Sequence, residues 1–477
     1  MTSAAPVLDG AFIEGVLGER LRERRGPGLP VTGAAIDSRE VRPGDLFVAL
    51  PGERQDGHDF AVAAVDRGAT ALLLARPVAG LDAAGGAGPT VYYVDDTLAA
   101  MHALGAAWRR ALPHIQVVGI TGSVGKTTTR AFTAAVLARR FRVQATAGSL
   151  NNEIGVPLTL LRLRPETERA VIEMGMYTTG EIAQLCRWAL PRAGVVLNVG
   201  PVHMERAGSI EAITRAKREL VEALPADGYA VLNIDDERVA SMAAHTAASV
   251  VSFGRAEGAD VLASDVAGRG REGFEFTLTH RGDHRHVRVT LPGAHLVTNV
   301  LAAAAVGLTE GMALDEVVIA LEELRESPRM RVVALANGVT LLDDTYNANP
   351  ASMVAALELL VELPGRHVAL LGDMRELGPV AFEEHRALGI RAAALLDLLY
   401  TTGDLAADVS EAARAAGLGS VQHLASREDA RDDSRELAFE VLRAALRPGD
   451  VLLVKGSRAL GLEDVVAALE REFGVAS

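Results

Sequence analysis

At 477 residues the chain exceeds what one compact core holds, and its length predicts about three domains. With 49% hydrophobic and 23% charged residues its composition is globular, which excludes a disordered chain. A net charge of −14 argues against a nucleic-acid partner and leaves any nucleotide phosphate to a few local cations and backbone donors.

The first residues, MTSAAPVLDGAF, contain neither a basic nor an apolar leader region, so no signal peptide is predicted. Up to about Pro113, short apolar pieces (LFVAL, ATALLLA, TVYYV) alternate with turn-rich stretches such as RPGD and GLDAAGGAGPT, the pattern of a small α/β domain. A second block, 114–327, opens with the strand QVVGI, a glycine loop and the helix KTTTRAFTAAVLARR. AVIEMG, GVVLNV and YAVLNID follow as buried strands, with the helices GEIAQLCRWA and SIEAITRAKRELVEAL between them. Such alternation predicts a largely parallel sheet covered on both faces. Cys186 lies in a helical pattern and reads as a small core residue; as the single cysteine it excludes an intrachain disulfide and fits a reducing compartment.

From about 255 to 292 the period changes. FEFTLTHRGDHRHVRVTL reads as two strands around an Arg-Gly-Asp turn, and HLVTNVLAAAAVGL as a helix. His280, His284 and His286 fall at that hairpin and read as solvated, since they lack the cysteine or carboxylate framework of a metal site. The third block, 328–477, alternates again through GVTLLDD, RHVALLGD and DVLLVKG, while REDARDDSREL reads as a charged helix face. No apolar run approaches the ~20 residues of a membrane span, so a soluble cytoplasmic protein is predicted, with domains at 1–113, 114–327 and 328–477.

TGSVGKTTTR (121–130) is a candidate phosphate loop. The strict pattern G-x-x-x-x-G-K-[ST] would place its first glycine at Ile120, so the match is incomplete. Its physics survives. Gly122, Ser123 and Gly125 let backbone N–H groups approach a phosphate chain, and the following helix presents its positive end. Lys126 can reach the outer phosphates and Thr127 can ligate Mg²⁺. In SIEAITRAKRELVEAL the apolar stripe of Ile210, Ile213, Leu220 and Leu224 also takes in Lys217. Periodicity by itself favours a side chain that snorkels to solvent there. Glu173 and His203, each just beyond a strand's carboxyl end, lie where open α/β sheets build their sites.

In the stretches DSREVRPGDLFVAL, DGHDF, GITGSVGKTTT, LNNEIGVPLTLL, IEMGMYTTGEI, NVGPVHMERAGSIEAITRAKREL, LLDDTYNANPASM, LLGDMRELG and VKGSR, the chain resembles the Mur ligases, ATP-dependent amide-forming enzymes of peptidoglycan precursor synthesis. DDTYNANP and LGDMRELG resemble the branch that adds D-alanyl-D-alanine to a UDP-N-acetylmuramoyl-tripeptide. The resemblance implies a central phosphate-loop NTPase-like parallel-sheet domain between a small N-terminal α/β domain and a C-terminal Rossmann-like domain. It implies ATP binding by Thr121, Gly122, Ser123, Val124, Gly125, Lys126 and Thr127, with Asn299, Arg329, Asp344 and Asn347 also on the nucleotide.

Lys126, Glu173, His203 and Lys217 are the implied catalytic set. Thr127 and Glu173 would hold one Mg²⁺, and His203 with a CO₂-derived carbamate on Lys217 a second; carbamylation turns a cation into the oxygen donor that Mg²⁺ prefers. Ser38 and Arg39 match the region that binds the UDP moiety, Asn151 and Asn152 a substrate-facing segment, and Lys455 and Arg458 a positive contribution from the third domain. Two positions depart from the family pattern: Leu296 replaces an asparagine in HLVTN, and Pro328 replaces the glycine before Arg329. The implied partners are small molecules, acting on a monomer; a hinge is predicted near 325–331, where the RESPRMR stretch leaves the helix. A sister ligase adding one amino acid, a folate polyglutamylating enzyme and a phosphate-loop switch are the rival readings. DTYNANP and LGDMRELG argue against the first two, and the flanking blocks are unexplained by the third.

Overall fold

The computed structural model describes residues 7–52, 55–81, 88–424 and 431–476, with backbone alone for 431–433. Its strands form three sheets, one per sequence block. The first has five strands in the order Leu21–Arg25, Thr90–Val94, Ala71–Leu74, Asp45–Val48, Gly33–Ala35. All pair in parallel except the edge strand Leu21–Arg25. That strand, LRERR, is charged along its length and carries no apolar alternation to announce it. The helix Thr97–Ala111 leads out of this sheet and crosses the helix Gly155–Leu161. A Cβ on Gly105 would sit 3.0 Å from the carbonyl oxygen of Pro157, so glycine permits the close crossing. One apolar cluster runs from Leu46 and Tyr92 through Leu104 and Trp108 to Ile172 and Trp188, joining the first and central layers.

The central sheet has nine strands, ordered Asp283–Val289, Phe274–His280, Val261–Gly268, Ser249–Gly254, Tyr229–Asn233, Ala193–Val196, Gln116–Thr121, Arg169–Glu173, Val143–Ala145. From Val261–Gly268 to Val143–Ala145 every neighbour pairs in parallel, and helices such as Lys126–Ala138 and Ile210–Glu222 pack on its faces. The predicted antiparallel hairpin extends this same sheet, its turn formed by Arg281 (φ 51°) and Gly282 (φ 86°), both left-handed as a two-residue hairpin turn requires. His280, His284 and His286 lie on the hairpin beside Asp260, Thr279 and Glu275. Cys186 is buried in the core.

The third sheet runs Arg331–Ala334, Thr340–Asp344, Asp450–Lys455, Arg366–Gly372, Leu398–Thr402, Val421–Leu424, parallel but for the first. The chain steps outward from Arg366–Gly372 and returns to insert Asp450–Lys455 beside it, creating a topological switch point of Rossmann type. Of REDARDDSREL, 425–430 fall outside the described residues, and the rest begins the helix Arg431–Ala445. Among the described residues no helix is long and apolar enough to cross a membrane.

Candidate active site

The carboxyl ends of the central and third sheets face each other across a cleft of ≈1960 Å³. On the central side the strand Gln116–Thr121 runs into the phosphate loop, where Gly125 adopts φ 83° ahead of the helix Lys126–Ala138. A Cβ on Gly122 would lie 2.9 Å from that of Leu197, so the loop packs closely on the next strand. Three side chains hold it open. Asn198 accepts from the Val124 N–H at 2.9 Å and donates to its carbonyl at 3.2 Å. Ser123 Oγ donates to the Gly200 carbonyl at 3.0 Å and accepts from its N–H at 2.8 Å. Asn299 Nδ2 donates to the Gly125 carbonyl at 3.2 Å and to Thr129 Oγ1 at 2.8 Å. A preformed loop at a helix N-terminus suits a phosphate chain. Lys126 Nζ folds back onto the Gly122 carbonyl at 2.8 Å; burial lowers its pKa, with Glu173 opposing.

Glu173 is fully buried at the end of its strand. Its Oε1 accepts from Asn151 Nδ2 at 2.7 Å and from Thr127 Oγ1 at 3.2 Å. Its Oε2 has no hydrogen-bond partner among the described residues, and Arg130 Nε stands 3.6 Å away. An orphaned carboxylate oxygen beside a hydroxyl, both facing a phosphate loop, is the oxygen set that Mg²⁺ takes together with nucleotide and water. No group of three or more His, Cys, Asp or Glu side chains capable of holding a metal occurs among the described residues, so these two oxygens would depend on the nucleotide to complete a site.

Lys217 does not snorkel. It is 2% exposed on the inner face of the helix Ile210–Glu222 and makes no hydrogen bond or ion pair among the described residues. Burial drives its pKa well below the ordinary lysine value, and the charge of Lys126 adds to the effect. The inward face of that helix packs against the core and leaves the side chain little exposure, which periodicity cannot reveal. Burial without an ionic partner among the described residues favours the free amine, the form that carbamylation needs. His203 adopts φ 54° at the start of the short helix Met204–Ala207, lies edge-on to Tyr177 at 4.8 Å, and is paired through Nδ1 with Glu376 of the third domain. Burial lowers its pKa, and Glu376 opposes the shift.

The opposite wall carries Arg329, whose guanidinium lies 3.4 Å from the ring centre of Tyr346 and donates to Thr127 Oγ1 at 2.6 Å and Ser149 Oγ at 3.2 Å. Arg458 approaches the same ring at 5.1 Å. Lys455 Nζ is buried and donates to Asp344 Oδ2 at 2.5 Å and to the Asn347 carbonyl at 2.8 Å. Burial raises the Asp344 pKa while Lys455 pulls it back. The positive charge expected from Lys455 is therefore matched inside the domain, whereas Arg458 borders the cleft against Tyr346.

Ser123, Val124, Gly125, Lys126, Thr127, Asn151, Asn152, Glu173, His203, Asn299, Arg329, Asp344, Asn347, Lys455 and Arg458 all border the cleft. Thr121 and Gly122 are buried directly beneath it. Asn152 Oδ1 accepts the Gly155 N–H at 3.0 Å and so supports the start of the helix Gly155–Leu161. Ser38 and Arg39 stand apart in the first domain: Ser38 is buried, and Arg39 is exposed and paired with Asp37 at 2.6 Å. Sequence reasoning missed Asn198, Arg130, Tyr177, Tyr346 and Glu376. Tyr346 and Glu376 stand inside quoted motifs, but nothing local to Glu376 points to His203, 173 residues away.

Fold and site together define a three-domain nucleotide-binding α/β protein with its cleft between two sheet ends. The chain matches models of the Mur ligase family catalytic domain at 30–109, the Mur ligase middle domain at 120–307 and the Mur ligase glutamate ligase domain at 328–458. It is 41% identical to a UDP-N-acetylmuramoyl-tripeptide–D-alanyl-D-alanine ligase of Mycobacterium tuberculosis, over 92% of each chain. Its fold is similar to a crystal structure of MurF from Acinetobacter baumannii, with a TM-score of 0.83, 29% identity and coverage of 98% of this chain and 100% of that one. It is also similar to MurF from Thermotoga maritima in complex with ADP, with a TM-score of 0.76, 29% identity and coverage of 93% and 98%. The chain belongs to the Mur ligase family.

Proposed function

We propose that this protein joins D-alanyl-D-alanine to UDP-N-acetylmuramoyl-tripeptide with cleavage of ATP to ADP and phosphate, forming the UDP-MurNAc-pentapeptide precursor of peptidoglycan. The observation that carries the reading is the cleft itself: a preformed phosphate loop on one wall faces DDTYNANP, LGDMRELG and KGSR on the other. A carboxylate is a poor acyl donor because its leaving group would be oxide. The tripeptide's terminal carboxylate therefore attacks the γ-phosphate, giving an acyl phosphate. The dipeptide amine adds to that acyl carbon, and phosphate leaves from the tetrahedral intermediate.

Two anions meet in the first step, so neutralisation and orientation are the main tasks. Lys126 and the loop amides orient the phosphates, and Arg329 adds a guanidinium from the other wall. We place Mg²⁺ with Thr127 and Glu173, and a second ion with His203 and a carbamate on Lys217. When bound, these ions supply charge neutralisation between carboxylate and phosphate. Asn151 holds Glu173 in place through its 2.7 Å hydrogen bond. Ser38 and Arg39 are assigned to the UDP end, and Arg458 to the substrate facing the third domain. Closure of that domain about 325–331 excludes water, which would hydrolyse an acyl phosphate. We take 1–113, 114–327 and 328–477 as the working domains, acting as a monomer in the cytoplasm. The small-molecule substrates, the acidic net charge and the buried single cysteine support that placement.

The test is phosphate release from ATP and Mg²⁺, with the tripeptide nucleotide and D-alanyl-D-alanine supplied separately and together. Release should require both, with pentapeptide detected by mass, and tripeptides carrying lysine or diaminopimelate at the third position define the preferred substrate. Release indifferent to the dipeptide, with no pentapeptide, would overturn the reading.

A further inference from the structure

Five non-glycine residues among those described take positive φ: Leu190, His203, Asp265, Arg281 and Glu376. Three have local explanations. Leu190 ends a helix, Arg281 forms the hairpin turn, and Asp265 lies where the register of its strand pair shifts. The other two, His203 (φ 54°) and Glu376 (φ 64°), touch each other across the boundary between the central and third domains. Strained backbone that persists on both sides of one contact points to a geometry that the surroundings enforce.

Glu376 is rigidly tied to its own domain. The adjacent Arg375 N–H donates to Ser457 Oγ at 2.9 Å, the Met374 N–H to the buried His385 Nε2 at 3.0 Å, and the Ser457 N–H to the Asp373 carbonyl at 2.9 Å. Its carboxylate therefore moves as the third domain moves. At Gly378 (φ 56°) a Cβ would lie 3.3 Å from Glu205 Cγ, so glycine lets the His203 segment come close. On the central side, the edge contact with Tyr177 at 4.8 Å restricts the imidazole. Nδ1 is taken by Glu376, and Nε2 has no hydrogen-bond partner among the described residues.

We propose that Glu376 is a positioning residue: the closing third domain seats its carboxylate on His203 Nδ1, fixing the tautomer and ring so that Nε2 is presented for metal ligation. A carboxylate on one imidazole nitrogen orients the other toward a metal and raises its basicity. Assembly of the second metal position is thereby coupled to domain closure. The inference rests on the ligase reading and on the assignment of His203 to that metal position.

The experiment compares wild type, Glu376→Ala, Glu376→Gln, His203→Ala and the double Glu376→Ala/His203→Ala variant, each with its melting temperature measured. Mn²⁺ binding is followed by electron paramagnetic resonance in the presence of ADP, and kcat and KM by phosphate release. Glu376→Ala should weaken Mn²⁺ binding and lower kcat by about tenfold or more while KM for ATP changes less than about twofold. Glu376→Gln keeps an acceptor oxygen and should recover most of both. In the His203→Ala background, Glu376→Ala should have no further effect. Unchanged Mn²⁺ affinity in Glu376→Ala, or losses that multiply in the double variant, would overturn the proposal. A wild type that forms no pentapeptide would instead remove the ligase reading, and the Mn²⁺ series would still decide whether Glu376 acts through His203.

Discussion

At Lys217 the fold buries a residue that its stability does not favour. An ammonium on an apolar helix face, 2% exposed and without an anionic partner among the described residues, is costly unless it is neutral or modified. Methionine has similar length and no charge, so it fills the same space without that cost. Lys217→Met should keep or raise the melting temperature while pentapeptide formation falls by about 100-fold, the upper range for loss of a metal-site component. Calorimetry and the mass assay check this; a destabilised variant that still ligates would remove Lys217 from the proposed catalytic set. Glu173 is buried with the opposite charge: its Oε2 has no hydrogen-bond partner among the described residues and only Arg130 Nε at 3.6 Å, while Oε1 is held by Asn151 and Thr127.

At the level of elements, the candidate phosphate loop keeps its shape because neighbouring strands and helices hold it. Asn198 follows the strand Ala193–Val196 and Asn299 lies on the helix Val297–Thr309, and both bond to the loop backbone. The third sheet is secured differently. Asp450 opens its central strand and binds Arg366 of the next strand through contacts of 2.9 and 2.6 Å, besides accepting the Arg447 N–H at 2.8 Å. Burial would raise the Asp450 pKa, but Arg366 and Arg447 outweigh it and the net shift is downward. A carboxyl whose folded pKa lies below its unfolded value contributes its full stability above the unfolded pKa of about 3.9 and loses it as pH falls through the folded value. Asp450→Asn should cost about 1–2 kcal/mol at neutral pH, discounted because Arg366 is partly exposed, and should flatten the acid side of the stability curve. Urea unfolding at pH 7 and in the acid range measures both effects. An unchanged acid slope would show that other carboxylates dominate it.

For the whole molecule, the segment 323–330 between the helix Leu314–Glu322 and the strand Arg331–Ala334 contains no regular element, yet its Arg329 bridges Thr127 and Tyr346 across the cleft. If this segment is the hinge, ligands that draw the walls together should protect it. Trypsin is expected to cut first among Arg325, Arg329 and Arg331, and ADP with the tripeptide nucleotide should slow that cleavage several-fold. Fragment masses identify the site; cutting elsewhere, or cutting indifferent to both ligands, would place the moving joint outside 325–331.

The sequence by itself determined the parts whose physics is local. Alternating strands and amphipathic helices marked the three α/β blocks, because burial of one face imposes its period on neighbouring residues. The glycine loop, Lys126 and Thr127 were legible as a candidate phosphate site because such a turn needs small residues, a cation and a hydroxyl at set spacing. The charged edge strand Leu21–Arg25 was not, since its side chains carry no apolar alternation. Tertiary structure alone decided what distant segments do together. It buried Lys217 in the packed helix face, matched Lys455 with Asp344 on the neighbouring strand, and placed Glu376 on His203 across two sheet ends, because those contacts arise from packing segments far apart in the chain.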